Sequence, residues 1–402
     1  MTLAGGVILA TALVAAVFLL LPSTRRAELW RATATPLASI IGSGFLVLGP
    51  ILVHGFGIWA TAAMAGLCLA AWGFGDVMRE NIRHAEGEAV ARGRAARAIS
   101  VISDIALAGA YVVSVAYYLN LFGAFGVKLT PFDGRSEAQA ATTAALLALL
   151  AIGWSGGFRA LEKAEMFTVS LKLAVIAALI AGLAIFVFGR AEAGALIVAP
   201  EALGPIEALT LGFGLIVTVQ GFETSRYLGA TYDAETRIRS MRLAQLLASA
   251  IYLAYVALLS VGFEIEAGAL TETTIIDLVG AASAVLPPLL VLAALAAQAS
   301  AAIADAGGAG GLAAELTKGR VPARGAYAIL VGVGVALTWG SDIFSIIGYA
   351  SRAFAVYYAL QSALACRLAF GRGAKGKAAR FAFLGALGLA AALFGREAEG
   401  GG

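Results

Sequence analysis

The strongest constraint on the fold is an uncharged stretch, residues 35–53, that is interrupted where a membrane-spanning helix should be continuous. Its length is close to the roughly 20 residues that cross a bilayer core as a helix. A Gly-Ser-Gly triplet at residues 42–44 lies near its centre, and a Gly-Pro pair follows at residues 49–50. Glycine destabilises a helix interior by about 1 kcal/mol relative to alanine, and proline removes a backbone donor. Because lipid cannot satisfy the freed backbone groups, protein or a wet cavity must do so.

This broken stretch has two interpretations. In the first, its freed backbone groups form a binding site, and Gly42 and Gly44 are unwound. In the second, Ser39, Ser43 and the glycines form a face of small residues against which a neighbouring helix packs closely. The stretch by itself favours neither interpretation.

The composition indicates an integral membrane protein. Hydrophobic residues make up 60% of the chain and charged residues 13%, whereas soluble domains average roughly 45–50% and about 25%. The two cysteines, Cys68 and Cys366, and the two histidines, His54 and His84, do not have metal-ligand spacing. We therefore expect no metal and no cofactor. The net charge of +3 does not indicate a nucleic-acid partner, because the basic residues follow the membrane topology.

Twelve apolar segments alternate with polar loops. They comprise residues 2–21, 35–53, 57–75, 99–123, 139–156, 166–189, 205–229, 243–263, 278–304, 327–339, 343–366 and 381–394. With the amino terminus outside and Arg226, at the inner end of the seventh segment, counted as a loop residue, inner loops hold 22 of the 28 Lys and Arg residues and outer loops hold four, while Lys172 and Arg352 lie within segments. Such a bias towards basic inner loops fixes orientation. The sequence therefore predicts a multi-pass protein of the cell (inner) membrane with both termini on the outer side.

The seventh segment is also interrupted, five spans after the first broken one. It contains Gly212, Gly214 and Gly221, and its polar residues include Thr218 and Gln220. Because five is odd, two units of five helices have opposite orientations in the membrane. Interrupted segments at matching positions of two inverted halves indicate the binding site of a secondary transporter. We therefore expect the two breaks to meet near the middle of the membrane.

Short motifs in both breaks resemble those of a known family. Residues 41–45, Ile-Gly-Ser-Gly-Phe, resemble the first-helix motif of the amino acid–polyamine–organocation (APC) superfamily. Residues 221–223, Gly-Phe-Glu, are similar to its sixth-helix motif, and Lys172 matches a lysine early in the fifth core helix. The resemblance covers residues 33–395. Departures that leave the substrate open are Asp-Ala-Glu at 233–235 instead of a common Asn-Pro, Phe45 instead of isoleucine, and Leu-Gly-Pro at 48–50 instead of Leu-Pro-Gly.

The resemblance implies an all-α polytopic membrane protein with about 12 transmembrane helices. Two five-helix units form an inverted repeat in which the first and sixth core helices are broken. The implied organisation is an extra amino-terminal helix with a basic loop (1–32), two repeats (33–190 and 203–368) and a final helix with its tail (378–402). The implied activity is that of a permease for amino acids or related amines.

In this family the substrate carboxylate meets exposed amides of the first broken helix, and the amino group meets carbonyls of both breaks. The physics agrees, because the amino end of a helix is partly positive and bare carbonyls suit cations. The resemblance therefore implies a substrate site made of Ile41, Gly42, Ser43, Gly44, Phe45, Thr218, Gln220, Gly221, Phe222 and Glu223. Tyr111, near mid-depth on the fourth segment, adds either a hydroxyl to this site or aromatic core packing.

Ionisable side chains within the membrane are candidates for function, because each costs about 2.5–3.5 kcal/mol at a helix centre on insertion scales. Glu223 has Arg226 one helical turn away, so a local ion pair is one interpretation. Arg352 is predicted near mid-depth, where we hypothesise an internal ion pair with Glu223; a substrate carboxylate is the alternative anion. Asp104 is expected to reach the inner interface, and Asp305 to mark the inner exit of its segment.

Lys172 is predicted to lie roughly 9 Å inside the inner face, at about the depth of Gly42. Ser300 lies near that level on the ninth segment. In sodium-coupled relatives a sodium ion binds there, and in proton-coupled members of the family a lysine replaces the ion. The resemblance thus implies proton coupling through Lys172 and Ser300. The alternative is that the long Lys172 side chain reaches the inner interface.

Three classes of function remain. A proton-coupled secondary transporter, whose partners are an amino acid or amine substrate, protons and the bilayer, explains both the breaks and the buried charges. A channel-like conduit or an exchanger of another small ion is less favoured, because the helices lack a continuous polar stripe. A non-transporting scaffold leaves Lys172 and Arg352 unexplained. We expect no enzyme, since Asp305 lacks the Gly-x-Gly-Asp setting of intramembrane aspartyl proteases. The oligomeric state stays open.

Reporter fusions test the topology. A reporter that works only in the periplasm should be active when fused after Gly402 and silent near Arg92, because the basic loops are expected on the inner side. The opposite pattern would contradict both the orientation and the inverted-repeat argument.

Overall fold

The computed structural model describes residues 3–42, 44–85, 93–155, 158–198, 200, 203–265 and 270–398. Within these ranges the chain forms fifteen α-helices, three short 3₁₀ segments and no strands. Ten helical stretches among them are long and apolar enough to span a membrane. The expectation of an all-α polytopic membrane fold is confirmed. The expected site residue Ser43 lies outside the described residues.

The helices follow one another with mostly short connections. Their bounds are α1 Leu3–Leu20, α2 Pro22–Arg26, α3 Glu28–Gly42, α4 Phe45–Phe56, α5 Ala60–Ala85, α6 Gly93–Val127, α7 Arg135–Ser155, α8 Phe158–Glu192, α9 Pro205–Gly214, α10 Ala234–Gly262, α11 Thr274–Ala282, α12 Leu286–Leu316, α13 Ala323–Gly340, α14 Ile343–Gly371 and α15 Lys375–Phe394. A 3₁₀ segment, Gly57–Trp59, joins α4 to α5, and two more, Ile216–Val219 and Phe222–Ala230, continue the path of α9.

Two spans are interrupted, and they occupy the predicted positions. α3, which ends at Gly42, and α4, which begins at Phe45, are the two halves of the first. α9 is the first half of the second, which continues as the two 3₁₀ segments. The long helices α5, α6, α7 and α8 separate the interrupted spans, so these lie five spans apart. The exact bounds of the two repeats stay a prediction.

The inner loop predicted between the third and fourth segments, residues 76–98, begins too early, because α5 continues to Ala85. Arg79, which falls in that predicted loop, is 2% exposed. Its Nη1 donates to Oε1 of Gln245 at 2.6 Å, and its guanidinium lies 4.7 Å from the centre of the Trp72 ring. A hydrogen-bond acceptor and an aromatic face together allow a guanidinium to lie inside the bundle.

The predicted ninth segment, residues 278–304, is two helices rather than one. Ser283 is extended and ends α11, and α12 begins with Pro287 in its first turn, where the missing N–H is not needed. α12 then continues to Leu316, so Asp305 lies inside this helix instead of at its end. Asp305 is 2% exposed.

The interrupted spans lie at the centre of the bundle. All described residues of 36–53 and all of 214–225 are buried. The peripheral helix α1 is different, because it buries only Gly5 and Ile8, and Ile8 packs beside Gly182 of α8. This arrangement encloses the irregular backbone in protein, as a membrane environment requires.

Candidate functional site

The first break is a tight turn between α3 and α4. Gly44 has a φ of 102°, in the left-handed region, and precedes the first residue of α4. Its N–H donates to the carbonyl of Gly42 at 3.0 Å instead of continuing the helix. Glycine adopts this φ without steric cost. A Cβ at Gly44 would also overlap the Tyr117 hydroxyl. The expected unwinding is confirmed for Gly44.

Gly42 is not unwound, so that part of the prediction is wrong. It is the last residue of α3, and a Cβ there would lie 3.3 Å from Cβ of Ala301 and 3.6 Å from the Ala297 carbonyl oxygen, both on α12. Gly42 therefore lets α3 and α12 pack closely. The packing interpretation applies to Gly42, whereas the broken backbone belongs to Gly44.

The second break centres on Gly221, which has a φ of 117°. A Cβ at Gly221 would lie 2.6 Å from the carbonyl carbon of Ser39 and from the amide nitrogen of Ile40. The backbones of the two interrupted spans therefore touch at this glycine. The prediction that the two breaks meet is confirmed.

One side chain of α10 joins the two breaks. The Tyr252 hydroxyl oxygen lies 2.9 Å from the carbonyl oxygen of Ile40 and 2.6 Å from that of Thr218. Both carbonyls lie where the regular helical pattern of donors ends. The Tyr252 hydroxyl is therefore a hydrogen-bond link between the two breaks.

Tyr255, three residues further along α10, caps a third carbonyl. Pro50 has no N–H, so the carbonyl of Leu46 loses its helical donor. The Tyr255 hydroxyl donates to that carbonyl at 3.0 Å. A Cβ at Gly49 would lie 2.6 Å from the Tyr255 ring. The unusual order Leu-Gly-Pro at residues 48–50 thus has a structural reason: Gly49 leaves space for the Tyr255 ring against α4, and Pro50 leaves the Leu46 carbonyl for its hydroxyl.

Lys172 of α8 reaches the carboxyl end of α3. Its Nζ donates to the carbonyl of Ala38 at 2.7 Å and lies 3.7 Å from the Cβ position of Gly42. The side chain is 4% exposed, so its ammonium is buried in the bundle and does not reach the interface. A cation near the carboxyl end of a helix is stabilised by the helix dipole. The shared level of Lys172 and Gly42 is confirmed, while the role of the half-buried Ser300 stays a prediction.

The predicted ion pair between Glu223 and Arg352 is wrong. Oε2 of the fully buried Glu223 accepts from the Gly221 N–H at 2.9 Å and from the Tyr358 hydroxyl at 3.0 Å. Arg352 instead donates through Nε and Nη2 to the carbonyl of Gly395, at 3.2 and 2.8 Å. Arg352 and Tyr358 are six residues apart on α14, so they differ by about 9 Å along the axis and face different sides.

Three further charged side chains, the half-buried Arg226 and Asp104 and the buried Asp305, have partners on neighbouring spans. Arg226 lies 3.9 Å from Asp104 of α6, measured from Nη1 to Oδ1, so the local pair with Glu223 is replaced by a contact between helices. Asp305 of α12 accepts a hydrogen bond from the Ser114 hydroxyl, also on α6. Both carboxylates therefore connect α6 to an adjacent span. Asp305 does not mark the end of its helix as expected, whereas the interfacial position expected for the half-buried Asp104 stays a prediction.

The polar residues of the second break are used within the protein. The Thr218 hydroxyl donates to the carbonyl three residues earlier at 2.5 Å, while its backbone carbonyl faces Tyr252 and its methyl group faces Gly44. Nε2 of Gln220 donates to the Tyr118 hydroxyl at 2.7 Å. The Phe222 ring stacks on Tyr358 with centroids 5.4 Å apart.

The apolar candidates line the junction or lie apart from it. The Phe45 ring packs against Tyr252 and Tyr255, with centroid distances of 5.4 and 4.5 Å. Ile41 is 3% exposed beside the same turn. Tyr111 packs 6.2 Å from the Phe354 ring and close to α12. Its position fits aromatic core packing rather than a hydroxyl in the junction.

Sequence reasoning missed the tyrosines that serve the breaks. They are Tyr117, Tyr118, Tyr252, Tyr255 and Tyr358. On an apolar helix a tyrosine usually indicates core packing, which hid these residues. One signal was present in the sequence. The spacing of Tyr252 and Tyr255 places them on one helix face, and a Gly-Pro pair elsewhere offers both space for a ring and a carbonyl without its helical donor.

The junction is closed in this structure. A cavity beside Ile40, Val219 and Tyr252 has a volume of about 10 Å³, at the lower limit for one water molecule. A much larger cavity of about 1170 Å³ lies at the end of the bundle where α6 ends and α14 begins. We call this cavity the vestibule; its wall includes Asn120 and Arg352.

Comparisons with known proteins agree with this geometry. The sequence model of a family described as APC superfamily transporter matches residues 22–395. An uncharacterized protein of Aquifex aeolicus (strain VF5) is 38% identical over 391 residues, which are 95% of this chain and 94% of that protein. Crystal structures of two mutants of a manganese transporter from Eremococcus coleocola have TM-scores of 0.57 and 0.59 with 11 and 12% identity, and each match covers 91% of this chain and 87% of that one. At such low identity these structures show the fold alone.

Replacing Gly221 with alanine tests the contact between the breaks. The added Cβ would press on the backbone of Ser39 and Ile40 and would hold a φ that alanine adopts only with strain. We expect the free energy of unfolding in detergent to fall by about 2 kcal/mol or more. The matched control is Gly212→Ala in α9, where a Cβ meets no atom within 4 Å. Equal stability of the two variants would contradict the close approach.

Proposed function

This chain belongs to the APC superfamily of transporters, and we propose that it moves amino acids or related amines by proton-coupled alternating access. The observation that carries the proposal is the junction of the breaks, where one carbonyl from each break, those of Ile40 and Thr218, lies at hydrogen-bond distance from the same group, the Tyr252 hydroxyl. An ammonium group has three protons and donates to both carbonyls together. In the substrate-bound state the amine takes the place that the Tyr252 hydroxyl holds here.

Glu223 supports a cationic substrate. It is fully buried, and within the part of the chain that the structure describes its Oε1 has no hydrogen-bond partner. Leaving a buried oxygen without a donor is unfavourable by about 1–3 kcal/mol. A substrate amine beside the second break supplies that donor. Glu223 thereby favours cationic amines over neutral solutes of the same shape.

The amino end of α4 provides the complementary anion site. α4 starts at Phe45, and the N–H groups of Val47 and Leu48 donate to the Gly44 carbonyl, whereas those of Phe45 and Leu46 have no preceding helical turn to donate to. They lie beside Gly44 and carry the positive end of the helix dipole. A substrate carboxylate binds these amides in the proposed complex. The Tyr117 hydroxyl, adjacent to Gly44, is placed to donate to the same carboxylate.

Lys172 is the coupling residue in this proposal. Its charged ammonium holds the Ala38 carbonyl at the end of α3, and a hydrogen bond from a charged donor is roughly twice as strong as a neutral one. Loss of the proton weakens this bond and frees α3 to move away from α8. Ser300 is the second member of this coupling site. Because Gly42 adjoins Lys172, proton release and substrate release share one moving element.

Tyr252→Phe and Tyr255→Phe form a matched pair that tests the amine site. Each variant removes the donor from a buried carbonyl, so the unfolding free energy without substrate should fall by about 1–3 kcal/mol. Only Tyr252→Phe removes a competitor of the amine. The thermal stabilisation by substrate should therefore increase in Tyr252→Phe and keep its wild-type size in Tyr255→Phe.

The ligand for this pair comes from a thermal-shift screen of amino acids, amines and Mn²⁺ on the purified protein. Selection of Mn²⁺ alone would overturn the proposed substrate class. Equal ligand-induced shifts in the two variants, or loss of binding in Tyr252→Phe, would contradict the amine site.

Uptake into proteoliposomes tests the coupling. Wild-type protein should accumulate the screened substrate when a pH gradient is imposed without sodium. Lys172→Ala should lose gradient-driven uptake yet keep substrate binding, because the substrate atoms contact the breaks and not this ammonium. The control is Lys128→Ala, whose ammonium pairs with Asp277 at 3.0 Å after the end of α6 and should transport normally. A sodium requirement, or a Lys172 variant that is still driven by the pH gradient, would rule out this role.

A further inference from the structure

The segment after α15 returns into the bundle. Residues 395–398, which we call the strap, leave α15 and lie between α9 and α14. The Arg396 N–H donates to the Thr210 carbonyl of α9 at 2.8 Å. Gly395 and Ala398 are buried, and Ala398 belongs to the apolar core.

Arg352 is the main residue that holds the strap. Its guanidinium makes two hydrogen bonds to the Gly395 carbonyl. The Ser345 hydroxyl, also on α14, donates to the Glu397 carboxylate at 2.7 Å. On the α9 side, the Arg396 guanidinium lies 3.4 Å from the carboxylate of Glu207. The strap is thus bonded to both walls of its groove.

Two glycines give the groove its width. A Cβ at Gly214, the last residue of α9, would overlap the carbonyl of Arg396. A Cβ at Gly348 of α14 would lie 2.6 Å from Cγ of Glu397. The α9 side of the groove is therefore shaped to the backbone of the strap at Arg396, and the α14 side is shaped to the side chain of Glu397.

The strap also covers the ends of both interrupted spans. A small cavity of about 40 Å³ under it is lined by Ile51 and Gly55 of α4 and by Leu211 of α9. Residues 396–398 form part of the wall of the vestibule as well. The strap therefore lies between the vestibule and the halves α4 and α9 that lead to the junction.

We infer that the groove between α9 and α14 is an internal peptide-binding site, and that the strap is a latch that keeps the junction closed towards the vestibule. Opening to the vestibule separates α9 from α14, and the strap bonds to both, so it must leave one wall first. This inference rests on the proposed function in one respect, that alternating access requires the junction to open towards the vestibule. It assigns Arg352 a role in gating, in place of the ion pair with Glu223.

Labelling of a buried cysteine tests the latch without any substrate. Leu211→Cys is introduced into protein in which Cys68 and Cys366 have been replaced by alanine, so that it is the reactive thiol. Leu211 is 5% exposed beneath the strap. Gly214→Ala displaces the strap by one methyl group and should raise the rate of reaction with a polar maleimide at least tenfold. Gly212→Ala, two residues away on the same helix with open space around its Cβ, should leave the rate unchanged.

A second matched pair of variants removes hydrogen bonds to the strap instead of filling the space that the strap occupies. Arg352→Gln should accelerate labelling as Gly214→Ala does, and Arg367→Gln on the exposed end of α14 should not. Unchanged labelling in both Gly214→Ala and Arg352→Gln would overturn the latch.

A disulfide between Ser345→Cys and Glu397→Cys provides the converse test. The bonded form should label slowly and transport poorly, and reductant should restore both properties. A disulfide-bonded form that labels and transports like the reduced form would show that the strap stays in place during turnover, and it would overturn the latch. If the reduced form binds and moves no tested substrate, the proposed function fails, while the labelling rates still decide on the latch.

Discussion

One hydroxyl group links the two irregular stretches on which the rest of the structure depends. Tyr252 lies within hydrogen-bonding distance of a carbonyl from each interrupted span, and Gly221 brings their backbones into contact. A broken helix inside a membrane must have its polar groups satisfied by protein. Placing the breaks back to back lets one donor serve both.

The hydrogen-bond partners of the broken spans come from unbroken helices around them. Tyr252 and Tyr255 of α10 and Lys172 of α8 are donors, and Ser351 of α14 is an acceptor, because its hydroxyl oxygen accepts from the Val217 N–H at 3.1 Å. Regular helices satisfy their own backbone and can commit side chains elsewhere. The division explains why the breaks are rich in glycine while the surrounding helices are rich in tyrosine. It also means that each break moves only when a bond to the surrounding helices is exchanged.

Sequence reasoning located the breaks and Lys172, but it did not find their partners. Glycine and proline in an uncharged stretch act locally, so Gly44 and Gly221 could be identified without tertiary information. Whether a partner such as Tyr252 reaches a break depends on how a distant helix is rotated about its own axis. The depth of a residue along its segment gives no information about that rotation. The same limit made the pairing of Arg352 wrong, since depth was counted but the face of α14 was not. The strap was hidden for a different reason, because Gly395 follows an apolar helix in a stretch that resembles an ordinary tail.

The two clamps on the interrupted spans differ in what releases them. In the proposed mechanism Lys172 holds the end of α3 by a bond that weakens with the loss of one proton. The strap holds α9 through a hydrogen bond to the Thr210 carbonyl and an ion pair between Arg396 and Glu207. In that mechanism a proton acts directly on the α3 half only, and α9 responds through the junction at Gly221. Since the backbones touch there, a shift of α3 changes the support of the second break, and the contact at Gly221 is where the two clamps are coupled.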